Sequence, residues 1–84
     1  MISSAQLRAA RALLDMDRKT LAELAGVSLP TIQRMESASG VVGGTVETLM
    51  KVVEALEKAG VELIAEDAVS QSSGRGVRLK NKNP

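Results

Sequence analysis

The chain has 84 residues, a net charge of +1, and ordinary shares of hydrophobic (44%) and charged (25%) residues, so it is read as one small globular domain. It contains no Phe, Trp, Tyr, Cys or His. That removes disulfides, a thiolate nucleophile, the usual general base near neutral pH, the commonest zinc ligand, and the aromatic platforms on which single-strand binders stack bases.

A core without aromatics must be built from Leu, Val, Ile, Met and Ala, which suits close helix packing. The spacing predicts a first helix from Ser4 to about Asp15. Ser3 and Gln6 form an S-x-x-Q capping box, Ile2 and Leu7 stand at staple positions, and Leu7, Ala10, Arg11 and Leu14 share a face. Asp17 caps a second helix, Arg18 to Ala25, which Gly26 ends. Ser28 caps a third, Leu29 to about Ser37, with Pro30 in the first turn where its missing N–H matters little. After a Gly-rich loop over 38–44, Thr45 caps a fourth helix ended by Gly60. Its apolar stripe reads Val46, Leu49, Met50, Val53 and Leu56. Beyond Gly60 the period changes to two. Val61 to Glu66 and Val77 to Lys80 read as strands of a hairpin, in which the Glu face of one meets the Arg/Lys face of the other. Residues 81–84 are expected to fray.

Charge is unevenly spread. Up to Met35, Arg8, Arg11, Arg18, Lys19 and Arg34 face only Asp15, Asp17 and Glu23. From Glu36 to Asp67 acids dominate, and the tail is basic again with Arg75, Arg78, Lys80 and Lys82. A protein that meets a polyanion on one side has this pattern; so does a dimer held by complementary charges. The carboxylates are scattered along helix surfaces, so neither an enzyme nor a metal or cofactor site is expected. Arg8 and Arg11 interrupt the apolar start, which argues against a signal peptide, and no apolar run approaches the ~20 residues that span a bilayer. A cytoplasmic protein with no membrane partner is the expectation.

The informative segment is D-R-K-T-L-A-E-L-A-G-V-S-L-P-T-I-Q-R-M-E, Asp17 to Glu36. Two capped helices joined by a short Gly turn must cross at a large angle, and Ala22 and Ala25 allow their close approach. Leu21, Val27, Ile32 and Met35 face inward, leaving Leu29, Pro30, Gln33 and Arg34 outward. This segment resembles the phage-repressor/Cro-like (XRE) helix-turn-helix family, and with the flanking helices the resemblance extends over roughly Ser3 to Ala59. It implies a mainly α, lambda-repressor-like domain of four to five helices, here with a C-terminal two-stranded β-hairpin. The second motif helix, about 29–37, would enter the major groove of double-stranded DNA, usually in a dimer.

By position, the resemblance makes Ser28, Leu29, Pro30, Gln33 and Arg34 the candidates for base contacts, and Arg18, Lys19, Thr31 and Gly43 the candidates for phosphate contacts. Arg18 departs from the Gln usual at its place in the family. Gln33 and Arg34 have the donor geometry for adenine and guanine respectively. Leu29 and Pro30 either touch thymine methyls or stiffen the helix start. The glycines at 40, 43 and 44 either offer N–H groups to phosphate or simply connect. The family also places a structural ion pair at the positions of Arg11 and Glu36.

The chain thus divides into a helix-turn-helix domain over 1–60, a hairpin extension over 61–80 and a tail over 81–84. An isolated hairpin is marginal in water, so this one must rest on the helices, pair with another copy or be disordered in the free monomer. A homodimer through the hairpin is the expectation; a second DNA contact by its cations is the alternative. The leading function is a dimeric transcription regulator, a repressor by analogy. An antitoxin with a toxin partner, or a protein-interaction module without DNA binding, remain as alternatives.

Overall fold

Each helix starts where a short polar side chain can take up free backbone N–H groups. In the computed structural model, which describes residues 2–37, 44–65 and 74–80, the order is α1 (Ser4–Leu14), α2 (Arg18–Ala25), α3 (Leu29–Ser37), α4 (Val46–Ala59), β1 (Val61–Ile64) and β2 (Gly76–Leu79). Ser3 and Gln6 form the reciprocal capping box of α1. Asp17, Ser28 and Thr45 accept from the backbone N–H three residues on. Gly26 ends α2 in the left-handed region at φ 71°, and the N–H of Val27 reaches back to the Ala22 carbonyl. Helix α1 ends the same way on Asp15, at φ 53°, a conformation Asp tolerates better than most residues. The expectations on Gly40, Gly43, Glu66, Lys82 and the tail over 81–84 lie outside the described residues.

The four helices and the hairpin share one core. Leu7 and Ala10 of α1, Leu21, Ala22 and Ala25 of α2, Ile32 and Met35 of α3, Val52, Ala55 and Leu56 of α4, and Val61 of β1 are all buried. Full burial of a Leu, Ile or Val side chain stabilises by roughly 1.5–3 kcal/mol. The alanines let the helix axes approach closely, so a core without rings still excludes water. One detail differs from the sequence reading. In α4 the core takes Val52, Ala55 and Leu56, while Val46 and Met50 of the expected stripe stand 72% and 54% exposed. Apolar residues occupy more than half the circumference of α4, so periodicity could not select the docked face.

The strands pair antiparallel, with Val61 opposite Leu79, Glu62 opposite Arg78, Leu63 opposite Val77 and Ile64 opposite Gly76. The acidic and basic faces meet as the pattern predicts: Arg78 Nη2 lies 2.6 Å from Glu62 Oε1, an exposed pair worth little. What steadies the hairpin is its seat on the helices. Leu63 and Val77 pack against the core. The buried Gln6 amide donates to the carbonyls of Ile64 (3.0 Å) and Gly76 (2.9 Å), while its oxygen accepts from Ser3 N. At the other end the Lys80 N–H donates to the Gly60 carbonyl at 2.7 Å. The hairpin therefore rests on its own helices.

Gln6 uses its whole amide, so Gln6→Leu strands two carbonyls and breaks the capping box. The expected loss is about 1–3 kcal/mol, read as a lower urea midpoint, with amides of β1 and β2 losing exchange protection before those of α2.

Candidate nucleic-acid interface

Helix α3 is held at both ends by polar contacts. At its start, Thr31 N donates to Ser28 Oγ (3.3 Å), and the Ser28 and Thr31 hydroxyls share a 2.8 Å hydrogen bond. At its end, helix α1 takes up the last carbonyls. Buried Ser4 donates through Oγ to Met35 O at 2.6 Å, and Arg8 Nη1 donates to Glu36 O. A helix end buried without such partners would leave costly orphan groups.

The Glu36 side chain is the centre of this anchorage. It is 1% exposed. Arg11 grips it in bidentate fashion, Nε to Oε2 at 2.6 Å and Nη2 to Oε1 at 2.8 Å. Arg18 Nε adds a third donor to Oε1 at 3.0 Å. Arg11 also donates to the Met16 carbonyl at 3.0 Å, in the link before α2. One carboxylate therefore joins α1, α2 and α3. Burial by itself would raise the Glu36 carboxyl, but the hydrogen bonds and charges of Arg11 and Arg18 outweigh it and hold it below the usual carboxylate range. The same bond raises Arg11 further above its already high value. Asp17 is also held low, chiefly by the Thr20 backbone N–H, and so is ionised at neutral pH.

With its inner face and end fixed, α3 turns Leu29, Pro30, Gln33 and Arg34 to solvent, beside exposed Ser28. An open cleft of about 430 Å³ is lined by Arg11, Asp17, Arg18 and Lys19 on one side and by Leu29 and Gln33 on the other. The fold thus brings the start of α2 and the outer face of α3 to one surface. Arg34 and Pro30 are exposed on α3 but do not line this cleft. Arg18, expected to reach phosphate, has its Nε engaged with Glu36 while its side chain stays 44% exposed. Thr31 is half-buried, and Gly43 lies outside the described residues. The cleft holds three cations and, counting the buried Glu36 behind it, two carboxylates, so its positive character is modest. Ser4, Arg8 and Gln6 were not singled out for these contacts from sequence, since their partners lie 28 or more residues away.

A family model described as helix-turn-helix matches residues 7–63, more than half of the chain, from α1 through the motif and α4 into β1. No curated protein matches the chain.

Glu36 gives this surface a pH signature. Its folded value lies below its unfolded one, so its contribution to stability is complete above about pH 4.3 and is lost as pH falls through the depressed folded value. Glu36→Gln should flatten the acid limb of the stability profile. Arg11→Met, which leaves a buried carboxylate short of its main partner, should cost about 3–5 kcal/mol, and Arg18→Met about 1 kcal/mol or less. Denaturant unfolding across pH measures all three.

Proposed function

The chain belongs to the phage-repressor/Cro-like (XRE) type of helix-turn-helix family, a DNA-binding one, and we propose that it is a sequence-specific regulator of transcription that reads double-stranded DNA as a dimer. The observation that carries this reading is the outer face of α3: exposed Gln33 and Arg34 on a helix anchored to both α1 and α2. A rigid helix with bidentate-capable side chains is what major-groove readout requires. Ser28, Leu29 and Pro30 complete the face that meets base edges. Lys19, Arg18 and Thr31 at the flanking helix starts meet phosphates, and Glu36 orients the Arg18 guanidinium while it does so.

One such helix covers only a few base pairs, so useful affinity comes from two copies on half-sites about 34 Å apart. The regulator acts as a repressor when its site overlaps a promoter, and its place of action is the cytoplasm. No helix among the described residues is long and apolar enough to cross a membrane. Among the described residues, no feature of the hairpin favours a toxin partner over a second copy.

Selection from random-sequence duplexes at near-physiological salt tests the reading. The wild type should enrich a palindrome, and Gln33→Ala/Arg34→Ala should relax it, each contact being worth ~1–3 kcal/mol of discrimination. Lys19→Ala should weaken binding across sequences and lower the log–log salt slope by about 1 per subunit. A folded wild type that enriches nothing overturns the proposal in favour of a protein-interaction module.

A further inference from the structure

Helix α4 sends Val52, Ala55 and Leu56 into the core and leaves an apolar stripe outside it. Val46 and Met50 are exposed on this stripe, and Met50 joins Ile2, Leu49 and Val53 to line an open groove of about 400 Å³ rimmed by Glu54 and Glu57. Single exposed apolar residues are ordinary, whereas here Ile2, Leu49, Met50 and Val53 line one groove together.

The charges beside the stripe say what covers it. Glu47, Lys51, Glu54 and Lys58 are spaced i, i+4, i+7 and i+11, so they form one row along one flank of α4, and all four are exposed. Glu47 and Lys51 already stand 3.6 Å apart within the row. The signs alternate, negative, positive, negative, positive. Read backwards, the row is its own complement. Two copies of α4 laid antiparallel, with a two-fold axis across the helices level with Val52 and Val53, set Glu47 opposite Lys58 and Lys51 opposite Glu54, each twice. The same axis puts the two rows on the same side of the contact and closes each apolar stripe over the other, as an isologous interface requires. In a parallel pairing the two-fold axis runs along the helices, the rows fall on opposite sides and this match is lost.

We propose that this face of α4, with Ile2 at its edge, is the surface on which a second copy of the chain docks antiparallel. The inference rests on the dimeric reading above and identifies its contact. The hairpin is less suited to that role. Its charged pair, Glu62 and Arg78, is satisfied within one copy, and its inner face is seated on α1 and α4 of its own chain.

Sedimentation equilibrium of the full chain without DNA tests the proposal. The wild type should be a dimer. Met50→Glu should weaken self-association by at least about tenfold, and Lys51→Glu should weaken it as well. Both should stay folded with the wild-type helical circular dichroism, since these side chains are exposed in the monomer. The row-inverted variant E47K/K51E/E54K/K58E should self-associate but fail to mix with the wild type, read by native mass spectrometry of labelled mixtures. A monomeric wild type overturns the proposal, as does free mixing of the inverted row. So does a dimer that ignores Met50→Glu and falls apart on Leu79→Glu, which would place the contact on the hairpin. The DNA reading fails separately: a dimer that enriches no sequence leaves the α4 surface standing, and a monomer that enriches one removes only that surface.

Discussion

The geometry of the motif depends on one buried carboxylate. Glu36 sits at the C-terminal end of α3, where the helix dipole is negative and an added negative charge is unfavourable. Its position is tolerable only because Arg11 and Arg18 surround it and Arg8 takes up its backbone carbonyl. Buried ion pairs bring little net stability over well-packed apolar residues of similar volume. What the ionic arrangement adds is direction. A bidentate guanidinium–carboxylate contact has one good geometry, so α3 is fixed in rotation as well as in position relative to α1 and α2. The face it shows to solvent is fixed with it.

The same economy runs through the rest of the polar interior. No buried side-chain nitrogen or oxygen among the described residues lacks a hydrogen-bond partner. Ser4, Gln6 and Glu36 are the buried polar residues, and each joins α1 or α3 to an element distant in sequence. With no aromatic ring to fill space, the core relies on Leu, Ile, Val and closely packed Ala. Directional polar contacts at its edges then set how the helices and the hairpin sit. Such contacts contribute about 1 kcal/mol each when satisfied and cost more when half-removed, so they specify the arrangement more than they stabilise it.

This arrangement separates two sets of polar residues that look alike in the sequence. Arg11 and Glu36 face inward and serve the fold, and exposed Arg8 serves it through its bond to the Glu36 carbonyl; Lys19, Gln33 and Arg34 are exposed too, on the side that holds the cleft and the outer face of α3. Arg18 belongs to both sets, partly exposed and bonded to the buried carboxylate. Helix α4 shows a similar division: one side closes the core, and the adjoining edge carries an apolar groove beside self-complementary charges. The surface that would read DNA and the surface that would hold a second copy thus lie on different helices.

Sequence alone determined the four helix boundaries, the Gly26 turn and the pairing of acidic with basic strand faces, because these are local. A cap bonds three residues on, a glycine supplies its own positive φ, and alternation within a strand selects its face. The resemblance to a known family implied an ion pair between Arg11 and Glu36, which no local rule connects. Which side of α4 meets the core was not legible, since its apolar residues cover too wide an arc. The second arginine on Glu36, the hold of Ser4 on Met35 and the clamp of Gln6 on the hairpin were decided only by tertiary structure. Their partners are 18 to 70 residues apart, and they meet only once the helices have docked. A long-range polar contact carries no signature of its own in the chain: its strength depends on burial and orientation, and both are properties of the assembled fold.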